Sequence, residues 1–330
     1  MHIVNSGSEA NELALRMAKA ATGQKDMLAI EVGYHGNTNA VMDVSSYKFA
    51  AKGGSGQPET THILPLPDPF RGKYQGEDCG GKYAAHAQIH IENLQKIGRG
   101  IAGFIGESLI SCGGQIQPPK NYFKEVYQYV RDAGGICIAD EVQTGFGRMG
   151  STFWAFEQYN VIPDIVTLGK PAGNGHPLAL VVCTEAVANA FNTGMEFFNT
   201  FGGNPVSCAI GRTVLEVIEE ENLQQNALKT GSFLKNELQA LQKKFPIIGD
   251  VRGDGLFLGF ELVDSHKKPL PDHAAYLANS MKRLGILIST DGPDYNVIKI
   301  KPPLVFNRDH AKELIFRLKS VFNEDYMSHY

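Results

Sequence analysis

Two short apolar segments of the chain each lead into a residue that can do chemistry. Residues 136–139 form an apolar run typical of a buried parallel strand, and Asp140 and Glu141 follow it directly. A second run, residues 165–168, is followed by a glycine and then by Lys170. Because ligands of open α/β sheets bind at the carboxyl ends of the strands, these acids and this lysine are candidate site residues.

Lys170 and Asp140 together suit one kind of cofactor. We expect a lysine at the end of a buried strand to be desolvated. Because desolvating an ammonium is costly, such a placement indicates a chemical role for the amine. Such an amine forms Schiff bases with aldehydes, and a carboxylate can keep a pyridine nitrogen protonated. The pair fits the needs of pyridoxal phosphate. A solvated lysine and a structural Asp–Arg pair give the same spacing, so both interpretations stay open at this point.

Two other segments have the residues to bind a flat, phosphorylated molecule. Residues 5–8, a Ser/Gly turn, precede a segment with helical apolar spacing, and we expect Ser8 to be the N-cap. Such a turn is also a phosphate site, because free N–H groups and the helix dipole attract anions. Tyr34 follows a predicted strand at residues 27–32 and could stack on a ring. A plain helix cap and a packing aromatic are the alternatives.

Seven separated motifs resemble one known family, and they occur in that family's order. They are SGSEANE, YHG, ADEVQTGFGR, TLGK, NTFGGNPVSCA, VRGDGLFLGFEL and KIKPPL. The sequence resembles the class III aminotransferases, which depend on pyridoxal phosphate. Four words, SSYKF, LPDPFRGKY, FNTFGGNPVSC and LISTDGP, are similar to the phospho-lyase branch, which acts on phosphoethanolamine or phosphorylated hydroxylysine. The resemblance implies the α/β fold-type I architecture: a mainly parallel sheet with helices on both faces, plus a small α+β carboxy-terminal domain.

The resemblance also implies a role for each matching residue. Lys170 would form the Schiff base and serve as general base, and Asp140 would pair with the pyridine nitrogen. The other implied cofactor-binding residues are Gly7 and Ser8 at the phosphate, Tyr34 and Val142 on the ring faces, Gln143 near the ring hydroxyl, Glu107 beside the cofactor, and Thr200 at the cofactor phosphate of the neighbouring subunit. The role of Thr200 implies a homodimer. We further expect Glu141 and Arg148 to form an ion pair that shapes the loop after Asp140.

Length and composition set the frame for these sites. A chain of 330 residues predicts about two domains, which we place at residues 1–220, a cofactor-binding domain with a connecting helix, and 221–330. The net charge of −4 and the lack of a long apolar run give no indication of a nucleic-acid or membrane partner. Five cysteines without metal spacing favour a reducing, cytoplasmic location.

Members of the resembled family carry a segment before the first motif. We therefore expect an amino-terminally shortened chain, which leaves a mitochondrial location and a non-catalytic protein open. Along the rest of the chain we predict a surface loop at 52–83 and helical structure across 205–245. The predicted strands of the small domain are residues 255–262, 286–289 and 297–301.

Two reactions compete as the activity of such a protein, because transamination and phosphate elimination share every step up to the carbanion. Lys299 stands three residues before Pro302, where the family's transaminases carry an arginine, and a lysine lacks the bidentate fork of a guanidinium. This and the phospho-lyase-like words favour elimination from a phosphorylated amine acting as substrate. Amino transfer to a 2-oxo acid or aldehyde is the alternative. A dinucleotide-binding oxidoreductase is disfavoured, since no GxGxxG motif opens a helix.

Overall fold

The structure, a computed structural model that describes residues 1–330, divides the chain into two units. The large unit consists of Met1–Ser108, Pro118–Phe146 and Trp154–Val217, and the small unit of Leu109–Gln117, Gly147–Phe153 and Ile218–Tyr330. The main part of the small unit begins close to residue 221. The small unit also contains the two earlier segments Leu109–Gln117 and Gly147–Phe153, so one boundary in the sequence cannot separate the two units.

Seven strands form the sheet of the large unit. They are β1 (His2–Val4), β2 (Asp26–Ile30), β3 (Thr61–Leu64), β4 (Ile101–Glu107), β5 (Ile136–Asp140), β6 (Ile165–Leu168) and β7 (Ala179–Cys183). Their order in the sheet is β1-β7-β6-β5-β4-β2-β3, and only β7 runs antiparallel to its neighbours. The predicted mainly parallel sheet is confirmed, and its four central parallel strands end at one common edge.

Helices cover both faces of this sheet. They are α1 (Gly7–Thr22), α2 (Asn39–Asp43), α3 (Ser46–Phe49), α4 (Gly80–Lys96), α5 (Tyr122–Asp132), α6 (Glu185–Phe191) and α7 (Pro205–Glu220). Ile138 of β5 packs in the cluster formed with α1, whereas the preceding Cys137 places its Sγ 3.8 Å from the carbonyl of Tyr127 in α5. Successive strand residues point to opposite faces, so each face has its own apolar layer. This confirms the predicted fold class.

The small unit has a four-stranded antiparallel sheet with helices packed against it. Its elements are α8 (Leu223–Lys244), β8 (Ile248–Asp254), β9 (Phe257–Leu262), α9 (Pro271–Arg283), β10 (Ser289–Asp291), β11 (Val297–Ile300) and α10 (Arg308–Phe322). The strand order is β10-β11-β9-β8. Leu238 of α8, Phe260 of β9 and Leu318 of α10 share one buried core. The predicted small α+β domain is confirmed.

Several local predictions were wrong. The expected surface loop at 52–83 contains β3, whose short run lies between prolines, and the expected helix across 205–245 is broken where Asn222 has a φ of 51°. Strand β8 was missed because charged residues interrupt its apolar pattern. In the fold, Arg252 of β8 pairs with Glu261 at 2.6 Å and with Asp250 at 2.9 Å, which allows these charges in a strand.

The structure also bears on cysteine, metal and membrane chemistry. All five cysteines are free, and no group of His, Cys, Asp and Glu side chains is arranged to hold a metal ion. None of the helices is long and apolar enough to cross a lipid bilayer.

Candidate functional site

A cavity of about 210 Å³ lies in the large unit at the carboxyl ends of the parallel strands. β4 ends at Glu107, β5 ends at Asp140, and Lys170 follows β6. Eight of the nine predicted cofactor-binding residues line this cavity: Gly7, Ser8, Tyr34, Glu107, Asp140, Val142, Gln143 and Lys170. Four residues that were not predicted complete the lining, namely Ser6, Asn11, His35 and Gly36. The fold thus gathers the candidate residues at one sheet edge.

Asp140 is the most firmly held of these side chains. Its Oδ2 accepts hydrogen bonds from Asn11 Nδ2 at 2.8 Å and His35 Nδ1 at 2.7 Å. Its Oδ1 accepts from the Val142 N–H at 3.0 Å. A carboxylate has about four lone-pair sites, so Oδ1 keeps one that is free for a further donor. With only 4% of the residue exposed, Asp140 presents a fixed acceptor to a ligand N–H.

Asn11 connects the elements that meet behind Asp140. Its Nδ2 donates to the backbone carbonyl of His35 at 2.7 Å as well as to Asp140, and its Oδ1 accepts from Thr167 Oγ1 at 2.7 Å. The side chain is 1% exposed and therefore has no water to replace these partners. One amide on α1 thus fixes β5, β6 and the loop after β2 relative to one another.

His35 supplies the second side-chain contact to Asp140. A carboxylate only accepts hydrogen bonds, so the proton of this contact is on Nδ1 of the histidine. The backbone N–H of His35 donates to Ser45 Oγ at 3.0 Å, which holds the loop. Its Nε2 is buried without a hydrogen-bond partner. The structure thus gives His35, which was not predicted as a site residue, a direct contact with the candidate catalytic acid.

Lys170 has an unusual backbone conformation and an exposed side chain. Its φ of 35° is in the left-handed region, which is strained for a residue other than glycine. The side chain is exposed, so the expectation of a desolvated lysine was wrong. The physical reason is that no element covers this part of the cavity lining, since Asn174 and Gly175 of the following loop are exposed as well. The amine can be reached from solvent by a small molecule.

The N-terminus of α1 forms another wall. Ser6, and not the predicted Ser8, is the N-cap, since its Oγ accepts from the N–H three residues later at 3.2 Å. Ser8 Oγ instead accepts from Asn37 N at 3.0 Å. A Cβ on Gly7 would lie 2.8 Å from Val142 Cγ1, so this backbone packs directly on the valine. The first N–H groups of a helix lack intrahelical acceptors and suit an anion.

Glu141 is a structural residue. It is fully buried, and burial raises the pKa of its carboxyl group, while four hydrogen bonds oppose this shift. The donors are Ser108 Oγ at 2.5 Å, Thr144 Oγ1 at 2.9 Å, and the backbone N–H groups of Ala155 and Phe156, both at 2.9 Å. The predicted ion pair with Arg148 was wrong, since that guanidinium donates to two backbone carbonyls instead.

Tyr34 and Thr200 occupy different surroundings. Tyr34 is half-buried in the cavity wall, with its ring 5.9 Å from that of Tyr47 in an edge-to-face arrangement. Thr200 does not line the cavity: it is exposed in the loop between α6 and α7. Phe198 and Phe201 on either side of it are 75% and 70% exposed. That Thr200 reaches a neighbouring subunit's cofactor stays a prediction.

Comparisons with known proteins agree with this geometry. Residues 1–322 match the family described as "Aminotransferase class-III". A Drosophila melanogaster protein named alanine–glyoxylate aminotransferase 2-like is 53% identical, over 94% of this chain and 65% of its own length. Ethanolamine-phosphate phospho-lyase homolog 1 of Caenorhabditis elegans is 43% identical, over 96% of this chain and 71% of its own length.

A solved structure extends the comparison to three dimensions. A phospholyase from Arthrobacter in complex with phosphoethanolamine superimposes with a TM-score of 0.89 at 38% identity, covering 97% of this chain and 76% of its own. The chain spans slightly less than two thirds, 65%, of the length of the Drosophila relative.

The residues at the cavity fit pyridoxal phosphate, the cofactor of this family. The free lone pair of Asp140 Oδ1 suits a pyridine N–H, and the α1 N-terminus suits a phosphate. Gly7 and Val142 are packed so closely that a methyl group between them would displace the valine from the wall. Such a shaped surface is what a flat ring requires.

Proposed function

Because the chain belongs to the class III aminotransferase family, we propose that it eliminates phosphate from a phosphorylated primary amine with the help of pyridoxal phosphate. The observation that carries the proposal is the fixed carboxylate of Asp140, with its free Oδ1 lone pair, in one cavity with the accessible amine of Lys170. The cofactor, when bound, withdraws electrons from the substrate carbon so that a C–H bond can be broken.

Lys170 is proposed to act twice. Its Nζ would hold the cofactor through the cofactor's aldehyde group. In its second role, Nζ would take the proton from the substrate carbon that bears the amine. It can do so because its exposed side chain lines the cavity that would take the substrate. The strained backbone at Lys170, with a φ of 35°, supports a functional reason for this conformation.

Asp140 is proposed to hold the ring nitrogen in its protonated form. Oδ1 would accept the ring N–H, while Asn11 and His35 keep the carboxylate from turning by binding Oδ2. A charged hydrogen-bond acceptor fixed in a buried place costs no reorganisation when charge develops on the ring. Asn11 and His35 are positioning residues in this proposal, since they act through Asp140.

The elimination reaction is favoured over amino transfer by two features. The Arthrobacter phospholyase, at 38% identity, is in complex with phosphoethanolamine, and the C. elegans relative, at 43%, is named as an ethanolamine-phosphate phospho-lyase homolog. In the small unit, the Lys299 ammonium pairs with Asp291 at 3.2 Å, and it offers no bidentate fork for a substrate carboxylate. For phosphoethanolamine, the C–H proton moves to Lys170, the C–O bond breaks with its electron pair leaving on phosphate, and water then releases acetaldehyde and ammonia.

The test of this proposal is product analysis of the purified protein loaded with pyridoxal phosphate. Given phosphoethanolamine without any 2-oxo acid, it should release inorganic phosphate and acetaldehyde in equal amounts. Lys170→Ala should release neither. If the protein instead forms L-alanine from pyruvate and an amine while releasing no phosphate, the elimination proposal is wrong.

Transamination is the second candidate, and one observation favours it. The Drosophila relative, at 53% identity, is named as an aminotransferase of the alanine–glyoxylate type. With glyoxylate and L-alanine as substrates, this alternative predicts glycine and pyruvate in equal amounts, with no need for a phosphorylated amine.

We also propose that the protein works as a homodimer in which Thr200 reaches the partner's cofactor phosphate. Thr200 is exposed between Phe198 and Phe201, and these exposed aromatic rings suit a protein surface that becomes covered. Light scattering should give twice the chain mass of 36.0 kDa. Thr200→Val should weaken cofactor binding in the dimer. A monomeric mass in light scattering would refute the homodimer. An unchanged cofactor affinity in Thr200→Val would refute the role of Thr200.

A further inference from the structure

Lys48 lies beside the cavity without an acidic partner. It belongs to α3, its side chain is half-buried, and it forms no salt bridge. Its ammonium is 5.5 Å from the ring centroid of Tyr34, which lines the cavity, and 5.9 Å from that of Tyr47. Aromatic rings attract a cation weakly and do not neutralise it. The charge of Lys48 therefore stays without an acidic partner next to Tyr34, one wall of the cavity.

The position of Lys48 relative to the cavity is fixed by hydrogen bonds. Three of them join the start of α3 to the loop that carries Tyr34. They run from Val32 N to Ser46 Oγ at 2.7 Å, from His35 N to Ser45 Oγ at 3.0 Å, and from Tyr47 N to Gly33 O at 3.3 Å. Phe49, the next residue after Lys48, is 6% exposed and anchors α3 in the interior. The backbone of Lys48 is thus held close to the loop that carries Tyr34, while its side chain stays free to turn.

Lysine at such a place is suited to one ligand chemistry in particular. Its ammonium is a compact point charge that binds phosphate groups well, whereas a carboxylate is better recognised by the fork of an arginine. The four-carbon stem lets the ammonium swing from the rings toward a bound molecule. The dianion of a phosphate monoester gains more from this contact than a singly charged or neutral group.

We propose that Lys48 binds the phosphate group of the amine substrate and so makes the cavity select phosphorylated over unphosphorylated amines. This inference rests on the proposed function, since it assigns the part of the substrate that distinguishes elimination from amino transfer. Lys48 is then a specificity-determining residue at the rim, distinct from Lys170 at the reacting carbon.

The kinetic test compares Lys48→Met with the wild type and two controls. Methionine keeps the apolar stem over the rings and removes the charge. A charge-assisted hydrogen bond to an anion contributes about tenfold to a hundredfold in binding, so kcat/KM for phosphate release from phosphoethanolamine should fall by at least about tenfold. Lys48→Arg should restore most of it. Lys52→Met, at an exposed lysine four residues further along the chain, should leave it unchanged.

A binding measurement separates substrate contact from a role in the cavity wall. Ethyl phosphate has the phosphate group but no amine, and its affinity for the cofactor-loaded protein is measured by calorimetry. Lys48→Met should weaken this binding about tenfold. The cofactor content and the visible spectrum should stay as in the wild type. Loss of cofactor from Lys48→Met would mean that Lys48 supports Tyr34 and does not bind substrate, which overturns the inference.

The outcomes distinguish this inference from the proposed function. The wild type releases phosphate if the elimination proposal holds. If Lys48→Met then keeps the kcat/KM and the ethyl phosphate affinity of the wild type, only the proposed role of Lys48 is rejected. A wild type that neither releases phosphate nor binds ethyl phosphate rejects the elimination proposal and the inference with it. A selective loss in Lys48→Met, rescued by arginine, supports both.

Discussion

Replacing Asn11 by alanine tests the idea that one buried amide holds the site together. The substitution removes three hydrogen bonds, to Asp140 at 2.8 Å, to the His35 carbonyl at 2.7 Å and from Thr167 at 2.7 Å. Asp140 Oδ2 keeps its contact with His35, but the His35 carbonyl and the Thr167 hydroxyl lose this partner in a buried place. At about 1–2 kcal/mol for each such group, Asn11→Ala should lower the free energy of unfolding by about 3 kcal/mol.

A matched variant gives the scale of this effect. Thr167→Val removes only the hydroxyl and should cost about 1 kcal/mol. Both variants are measured by urea denaturation of the cofactor-free protein, and their affinity for pyridoxal phosphate by the change in visible absorbance. Because Asp140 loses one of its three restraints only in Asn11→Ala, that variant should bind the cofactor about tenfold more weakly. Equal stability and equal cofactor affinity for Asn11→Ala and the wild type would refute the reasoning.

Three further predictions follow from the packing and titration of single residues. Each carboxylate oxygen of Glu141 accepts one backbone N–H, so in Glu141→Gln the side-chain NH2 must face one of these donors. Urea denaturation should show a free energy of unfolding lower by about 1–3 kcal/mol, and an unchanged midpoint would contradict this. Gly7→Ala should displace Val142, which would lie 2.8 Å from the new methyl group, and so weaken cofactor binding; an unchanged cofactor affinity would disprove the tight contact. Burial raises the pKa of Tyr83 from 10.0 to about 12, so its contribution to stability is complete below pH 10 and is lost as pH rises towards 12. Tyr83→Phe should therefore lose less stability than the wild type between about pH 10 and about pH 12, and parallel pH profiles would count against the shift.

The positions of the two proposed reacting residues could be predicted from the sequence because they follow a local rule. Asp140 is the last residue of one short buried strand and Lys170 follows another after a single glycine, and parallel strands end at one edge. The apolar runs that mark these strands are visible in the chain itself. Tyr34, which follows a predicted strand, and Glu107, which the family resemblance implied, also line the cavity.

The positioning residues could not be found in this way. Asn11 meets Asp140 across 129 positions of the chain, and His35 meets it across 105. Such contacts depend on how α1 and the loop after β2 pack on the sheet, which no local pattern encodes. The one available signal was a polar residue among the small apolar residues of α1, and a polar side chain there must find a partner when buried.

Other errors have similar physical causes. Strand β8 was missed because Arg252 looks like a surface residue, and only its pairing with Glu261 and Asp250 explains how the charge is accommodated in a strand. The exposure of Lys170 was missed because strand ends were assumed to be covered. Whether another element covers Lys170 depends on distant parts of the chain and cannot be read from residues 165–170 alone.

The most direct test of the account is to find the lysine that holds the cofactor. The protein is loaded with pyridoxal phosphate, treated with borohydride to fix the linkage, digested, and mapped by mass spectrometry. We predict a phosphopyridoxyl group on the peptide that contains Lys170, reduced in amount in Asp140→Ala and absent in Lys170→Ala. Modification of a different lysine, or of none in the wild type, would contradict the assignment of the site.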